Sequence, residues 1–298
     1  MADLTREKKA LLMLCTRLAL PENGKPYTAR EFSGLADRMG GLDRLAALID
    51  ASADKIESSV GVGSEDAARM QTLLSGDRLI DGEVERLEAS RIWALTRQDD
   101  EYPRRYLERL GKSAPWVLFG AGERSLLSGR SLAVVGSRNV DDRGSDFARF
   151  LGAGASKCGL VLCSGAARGV DQISMRGAIE HGGKASGVLA DSLEKTLRQR
   201  DTQDLLEDGR LALITPYSPS APFSVGAAMG RNKLIYALAD YSVVVLSDVE
   251  TGGTWAGASE ALKESWAAVF VAEYSEQPEG NRRLIARGGV PIPARMYK

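Results

Sequence analysis

From residue 131 onward one pattern repeats: a short unbroken apolar run, then a longer amphipathic stretch. The runs fall at 131–136, 160–164, 184–190, 211–214, 241–246 and 268–271. An unbroken apolar run marks a strand covered on both faces. Strands separated by helices pair in parallel through right-handed crossovers. The first intervening helix is predicted through Phe147, Phe150 and Leu151, and the second from Asp171 to His181. The pattern specifies an α/β fold, with a Rossmann-like parallel-sheet domain over residues 131–298.

The first third of the chain has a different texture. Leu11, Leu12, Leu14, Leu18 and Leu20 recur near helical spacing. Thr28-Ala29-Arg30-Glu31 has the form of a capping box, and the helix it opens runs through Phe32, Leu35 and Met39 to Gly40-Gly41. Further helices are expected over Leu42, Leu45, Leu48 and Ile49, and over Ala67, Met70, Leu73 and Leu74. Val60-Gly61-Val62-Gly63-Ser64 fits a helix-hairpin-helix turn whose amides meet a phosphate. It equally fits a plain tight turn in a helical bundle, the commoner outcome for so short a motif. The division expected is a small all-helical, SAM-like or helix-hairpin-helix-like domain over 1–85, a connector with short strands over 86–130, and the Rossmann-like domain.

Composition narrows the function. Hydrophobic residues are 44% and charged residues 27% of 298, which excludes a disordered chain. A net charge of −1 excludes a uniformly basic binder but leaves room for a local basic cleft. Cys15, Cys158 and Cys163 form no CxxC pair, and Cys158 and Cys163 are expected as buried small hydrophobes. A single histidine, His181, excludes a multi-histidine metal centre and leaves little room for a Ser-His-Asp triad. Its place before Gly182-Gly183 suits the end of a helix. No metal and no cofactor is expected. The opening MADLTREKKALLML lacks the apolar core of a secretory leader, and no apolar run reaches the roughly 20 residues that span a bilayer. A cytoplasmic protein without membrane contact is expected.

In an open parallel sheet, ligands bind beyond the carboxyl ends of the strands. Four segments fall around those ends, three just after a strand and Gly230-Arg231-Asn232-Lys233 before the fifth strand. They are Gly136-Ser137-Arg138-Asn139, the run from Ser164 through Gly165, Arg168 and Gly169 to Asp171, Gly230-Arg231-Asn232-Lys233, and Thr251-Gly252-Gly253-Thr254. Glycine lets backbone approach a phosphate, helix N-terminal amides attract anions, and the arginine fork matches phosphate oxygens. Neither G-x-G-x-x-G nor G-x-x-x-x-G-K-[ST] occurs, which argues against a nicotinamide dehydrogenase and a P-loop NTPase. Phe223 and Trp255 are candidates for stacking a base, though ordinary packing is the commoner fate of such aromatics. Asp171 opens a helix, so N-capping accounts for it.

Gly136-Ser137-Arg138, the 164–171 run, Arg231-Asn232-Lys233-Leu234-Ile235 and Asn281-Arg282-Arg283-Leu284-Ile285 resemble, in order and spacing, the signature blocks of the DprA/Smf family. The resemblance spans roughly 93–290, and the helical N-terminus is similar to the family's helical region in weaker detail. It implies a single-stranded DNA-binding, DNA-processing protein. Family members protect DNA during natural transformation and load the recombinase RecA, dimerise through the Rossmann domain, and are not known as enzymes. The same resemblance implies that Ser137 and Arg138 hold a strand phosphate, that Gly165, Arg168 and Gly169 form a second wall, and that Arg231, Asn232 and Lys233 close the pocket opposite. The sequence also departs from the family. A proline- and asparagine-containing stretch is replaced by Leu197-Arg198-Gln199-Arg200-Asp201-Thr202, and Gly280 stands where cysteine is frequent. Lys298 is reached without the winged-helix domain many members append, so that domain is expected to be lacking.

The Gly252-Gly253-Thr254 block is also similar to that of LOG-type phosphoribohydrolases. In that second reading Glu260 is a catalytic carboxylate, with Arg138 or Arg168 holding a nucleoside monophosphate. The motif spacing departs, and an exposed helix face explains Glu260 as well. A nucleotide-sensing module using the same pocket without turnover is a third reading.

Overall fold

Local signals in the helical third act as the sequence predicts, with two adjustments. A computed structural model describes residues 4–21, 24–250 and 252–294. Helix α1 (Arg6–Cys15) is capped by Thr5 and buries Ala10 through Leu14. Helix α2 (Ala29–Met39) opens on the full reciprocal capping box of Thr28 and Glu31 and ends at Gly40, φ 69°. The helix expected over Leu42 to Ile49 is only a 3₁₀ turn, Leu45–Leu48. The Ser52 cap then opens α3 (Ala53–Val60). Gly61, φ 69°, ends α3, and Gly63 precedes α4 (Ser64–Leu74). Helix α5 (Asp77–Ala89) runs past the boundary expected at 85 and leads into β1 (Trp93–Thr96).

The chain forms two compact units, one of residues 1–102, 110–119 and 216–218, the other of 103–109, 120–215 and 219–298. The stretch expected as a connector is thus divided between them. It contains α6 (Arg104–Leu110) and β2 (Val117–Gly122).

The second unit is the Rossmann-like fold. In chain order its elements are β3 (Ser131–Val135), α7 (Asp142–Lys157), β4 (Val161–Ser164), α8 (Val170–Glu180), β5 (Lys184–Val188), α9 (Leu193–Leu197), α10 (Arg200–Glu207), β6 (Leu211–Thr215), α11 (Val225–Leu238), β7 (Tyr241–Val244), α12 (Gly252–Glu264), β8 (Ala268–Glu273), α13 (Glu279–Ala286) and β9 (Val290–Pro293). The strand order β6-β5-β4-β3-β7-β8-β9 is parallel at every pairing. From β3 the chain builds outward to β6, then crosses back to β7 and builds the other way. The order therefore reverses between β3 and β7, the switch point where an open sheet leaves a crevice. Strand β9 was not expected. Pro291 and Pro293 mask it as a loop, and an edge strand is where proline is tolerated.

Two packing details explain the sequence blocks. Buried Asn281 donates to the carbonyls of Val245 (3.0 Å) and Ala272 (2.9 Å) and accepts from the Ser247 amide (2.9 Å). It ties the ends of β7 and β8 together. A Cβ at Gly280 would strike the Ser247 carbonyl, so a cysteine there would require the backbone to shift. His181 closes α8 with Nδ1 2.8 Å from the Gly177 carbonyl, but Cys158, at the end of α7, is exposed rather than buried. Among the described residues, no helix is long and apolar enough to cross a membrane.

Candidate nucleic-acid interface

A cleft of about 370 Å³ opens at the switch point. Its walls come from the turn after β3 (Gly136, Ser137, Arg138, Asn139), from α11 (Arg231, Asn232) and from the start of α12 (Gly252, Gly253, Thr254). Asp171, Phe223, Met229, Tyr236 and Asp248 complete it. Thr251 lies outside the described residues.

Close backbone approach builds this cleft. A Cβ at Gly136 would meet Val170, and one at Gly253 would collide with the Asn232 amide. Gly169 holds φ 91°, and a Cβ there would strike the backbone of Ser137 and Arg138. The β3–α7 turn thereby sits directly on the start of α8. Ser137 fixes the turn: its amide donates to Leu246 (2.9 Å) and its hydroxyl accepts from the Asn139 amide (3.2 Å).

Beneath the cleft lies an uncommon arginine. Arg231 is 3% exposed, and among the described residues its Nε and Nη1 have no hydrogen-bond partner. Asp171 lies beside it over Gly165, where a Cβ would collide with both side chains. Burial pushes the Asp171 carboxyl up, opposed by Arg231 and by the amides of Ala167 and Gly165. Burial lowers Arg231, opposed by Asp171 and reinforced by the charge of Arg138. Leaving buried guanidinium donors unpaired costs on the order of 1–3 kcal/mol each. Arg231 lines the cleft, so an anion that reached its guanidinium would recover that cost.

N-capping therefore does not account for Asp171. Gly169 is the cap residue, and Asp171 sits inside the first turn of α8, facing the guanidinium. The sequence alone could not register this, because an acidic residue in a first turn already has an ordinary explanation.

The other expected residues separate by position. Ser164 is fully buried and its hydroxyl donates to the Val134 carbonyl at 2.6 Å, holding adjacent strands. Arg168 and Gly169 open onto a neighbouring cavity of about 720 Å³, whose lining also includes Arg138 and Asn139. Arg168 is exposed and donates to Asn139 at 2.9 Å. Lys233 lines neither cavity, since it lies on another face of α11 from Arg231. Exposed Glu260 lines neither cavity as well. Trp255 is 7% exposed and packs under Arg287, 4.7 Å from the ring centroid, so it has no face free for a base. Phe223 is 48% exposed at the cleft mouth, with the Arg138 guanidinium 4.9 Å from its ring centroid. The 197–202 stretch spans the end of α9 and the start of α10, away from both cavities.

Fold and site together define a doubly wound α/β protein with an arginine-lined cleft at its switch point. Residues 93–294 match the profile of the DNA recombination-mediator protein A family, and the chain belongs to that family. It is similar to DNA processing protein DprA of Bacillus subtilis, 29% identical over 60% of this chain and 61% of that protein. It is also similar to protein Smf of Escherichia coli, 30% identical over 46% of this chain and 37% of that one. The chain thus matches less than two thirds of each relative's length. Among solved structures, DNA processing protein A from Streptococcus pneumoniae superposes with a TM-score of 0.63 at 21% identity, covering 89% of this chain and 95% of that one. DNA processing protein A from Helicobacter pylori, described for its single-stranded DNA binding mode, superposes with a TM-score of 0.56 at 21% identity, covering 67% and 90%. These likenesses establish the fold.

Proposed function

We propose that this chain binds single-stranded DNA through the β3/β7 cleft, as a DNA-processing protein that acts by binding rather than by turnover. The carrying observation is Arg231, buried with orphaned donors in a cleft that also presents Arg138. Family membership and the Helicobacter pylori relative described for strand binding support the same ligand. A phosphodiester oxygen completes the donors of Arg231, while Arg138 and the glycine-lined turn hold it from above. Exposed Phe223 offers a stacking face for the adjoining base. Phosphate contacts position a strand without reading it, so base sequence has little influence.

Membership in a recombination-mediator family supports a setting in recombination, and the resemblance of the signature blocks extends it to natural transformation. A homodimer and delivery of the strand to a RecA-type recombinase are part of this reading. The test is fluorescence anisotropy with a labelled single strand, titrated at two salt concentrations, with duplex DNA and a nucleoside monophosphate as competitors. Binding that weakens with salt, resists both competitors and falls at least tenfold in Arg138→Ala is expected. Displacement by the mononucleotide, or full affinity in Arg138→Ala, overturns the reading.

A further inference from the structure

Resting on that strand-binding reading, we propose that the groove between α7 and α8 is a second phosphate track, carrying the same single strand outward from the β3/β7 cleft. The groove is the 720 Å³ cavity, and its lining includes Arg138, Arg149, Arg168 and Arg176. Arg138 and Asn139 line both cavities, so a strand leaving the cleft passes directly into the groove.

The groove follows from glycine placement. A Cβ at Gly152 would strike the Ser174 carbonyl, and one at Gly177 would strike the Arg149 carbonyl. The two helices therefore approach backbone to backbone. Residues four apart on a helix stack on one face. Ser145 and Arg149 accordingly line one bank, and Gln172 and Arg176 the other. Val140 and Ile173 supply an apolar floor.

The acidic residues nearby do not neutralise this row. Asp141 also lines the groove, but its carboxylate accepts from the Gly144 amide at 2.8 Å and from Arg143 at 3.3 Å. Asp146 holds Arg149 at 3.3 Å with both side chains 52% exposed. An exposed pair of that kind is worth only about 0–1 kcal/mol, and a phosphodiester displaces it easily. Arg149, Arg168 and Arg176 are all exposed, as a track for a flexible polyanion requires.

The experiment compares salt dependence of binding to an oligothymidylate of about 16 nucleotides, within the usual footprint of single-strand sites. Each phosphate contact contributes about 0.7 to the log–log salt slope on a single strand. Arg149→Ala/Arg176→Ala is expected to lower the slope by about 1.4 and the affinity at least tenfold. A control pair on α10 and α12, Arg200→Ala/Lys263→Ala, removes the same charge away from the groove and is expected to change the slope far less. All four side chains are exposed, so the variants keep the fold. Equal losses in the two pairs, or a wild-type slope in the groove pair, overturn the track, while Arg231→Met/Asp171→Asn, which touches the cleft and not the groove, still reports on the cleft. A wild-type chain that binds no strand overturns both.

Discussion

Arg97 in the helical unit and Arg231 in the α/β unit are both desolvated guanidinium groups, and burial lowers the pKa of each. Their surroundings are opposite. Arg97 donates from Nη1 to Ser33 (3.2 Å), from Nε to the Pro115 carbonyl (3.4 Å), and from Nη2 to the carbonyls of Lys112 and Ala114. Its plane lies 4.0 Å from the Trp116 ring centroid. Every nitrogen has an acceptor, so the group closes loop carbonyls and has nothing left for a ligand. Arg231 is buried more deeply and has Nε and Nη1 unused. Burial alone therefore does not distinguish the two arginines; the state of their donors does.

Arg97→Ala tests the structural half of this contrast and carries the largest effect. It strands several carbonyls and removes the stacked cation, a loss on the order of 3 kcal/mol. The urea midpoint is expected to fall by the corresponding amount, with strand affinity of the folded fraction unchanged. A midpoint equal to wild type would mean that Arg97 is dispensable for the loop.

Arg231→Met made together with Asp171→Asn is the mirror experiment, because the two groups face each other. Replacing both partners of a buried charged pair by uncharged side chains of similar size is often neutral for stability, whereas removing one alone is costly. The unfolding midpoint is expected to stay near wild type, while strand binding weakens by about 10- to 100-fold, the worth of a charge-assisted hydrogen bond. Lost stability with intact affinity would assign Arg231 to the core instead.

The sequence carries the α/β unit well because each buried strand is a continuous apolar run and each crossover has helical period. Arg138, Gly252 and Gly253 follow from one rule, that ligands sit beyond strand ends, whereas Arg231, inside α11, follows from its Arg-Asn-Lys block. What it conceals are relations across distance. Asp171 reads as a cap until Arg231 is seen beside it over Gly165. Lys233 shares a motif with Arg231, but a two-residue step on a helix is about 200° of rotation, which turns it to another face. Cys158 is exposed because it sits at a helix end, information that its residue type does not hold.

Asp171 gives a smaller, pH-dependent effect. Its carboxyl is raised in the folded state, so the native chain binds more protons than the unfolded one above about pH 3.9. Stability then falls as pH rises from there through the raised folded value, with a slope of at most about 1.4 kcal/mol per pH unit. Asp171→Asn is expected to lose that segment of the pH–stability curve measured by urea titration. An unchanged curve would show that Arg231 holds the carboxylate at its ordinary value.

The smallest effect separates binding from turnover. The hydrolase reading requires Glu260 beside the phosphate-holding arginines. Gly252, Gly253 and Thr254 of α12 do reach the cleft. Glu260 lies six residues beyond Thr254, about 9 Å along the helix axis, and points to solvent. Glu260→Gln is therefore expected to leave strand affinity within about twofold and stability within about 0.5 kcal/mol. Base release from a nucleoside monophosphate by the wild-type chain, abolished in Glu260→Gln, would show that α12 supplies a catalytic carboxylate after all. The cleft would then be a nucleotide site, and the orphaned donors of Arg231 would belong to a terminal phosphate rather than to a strand.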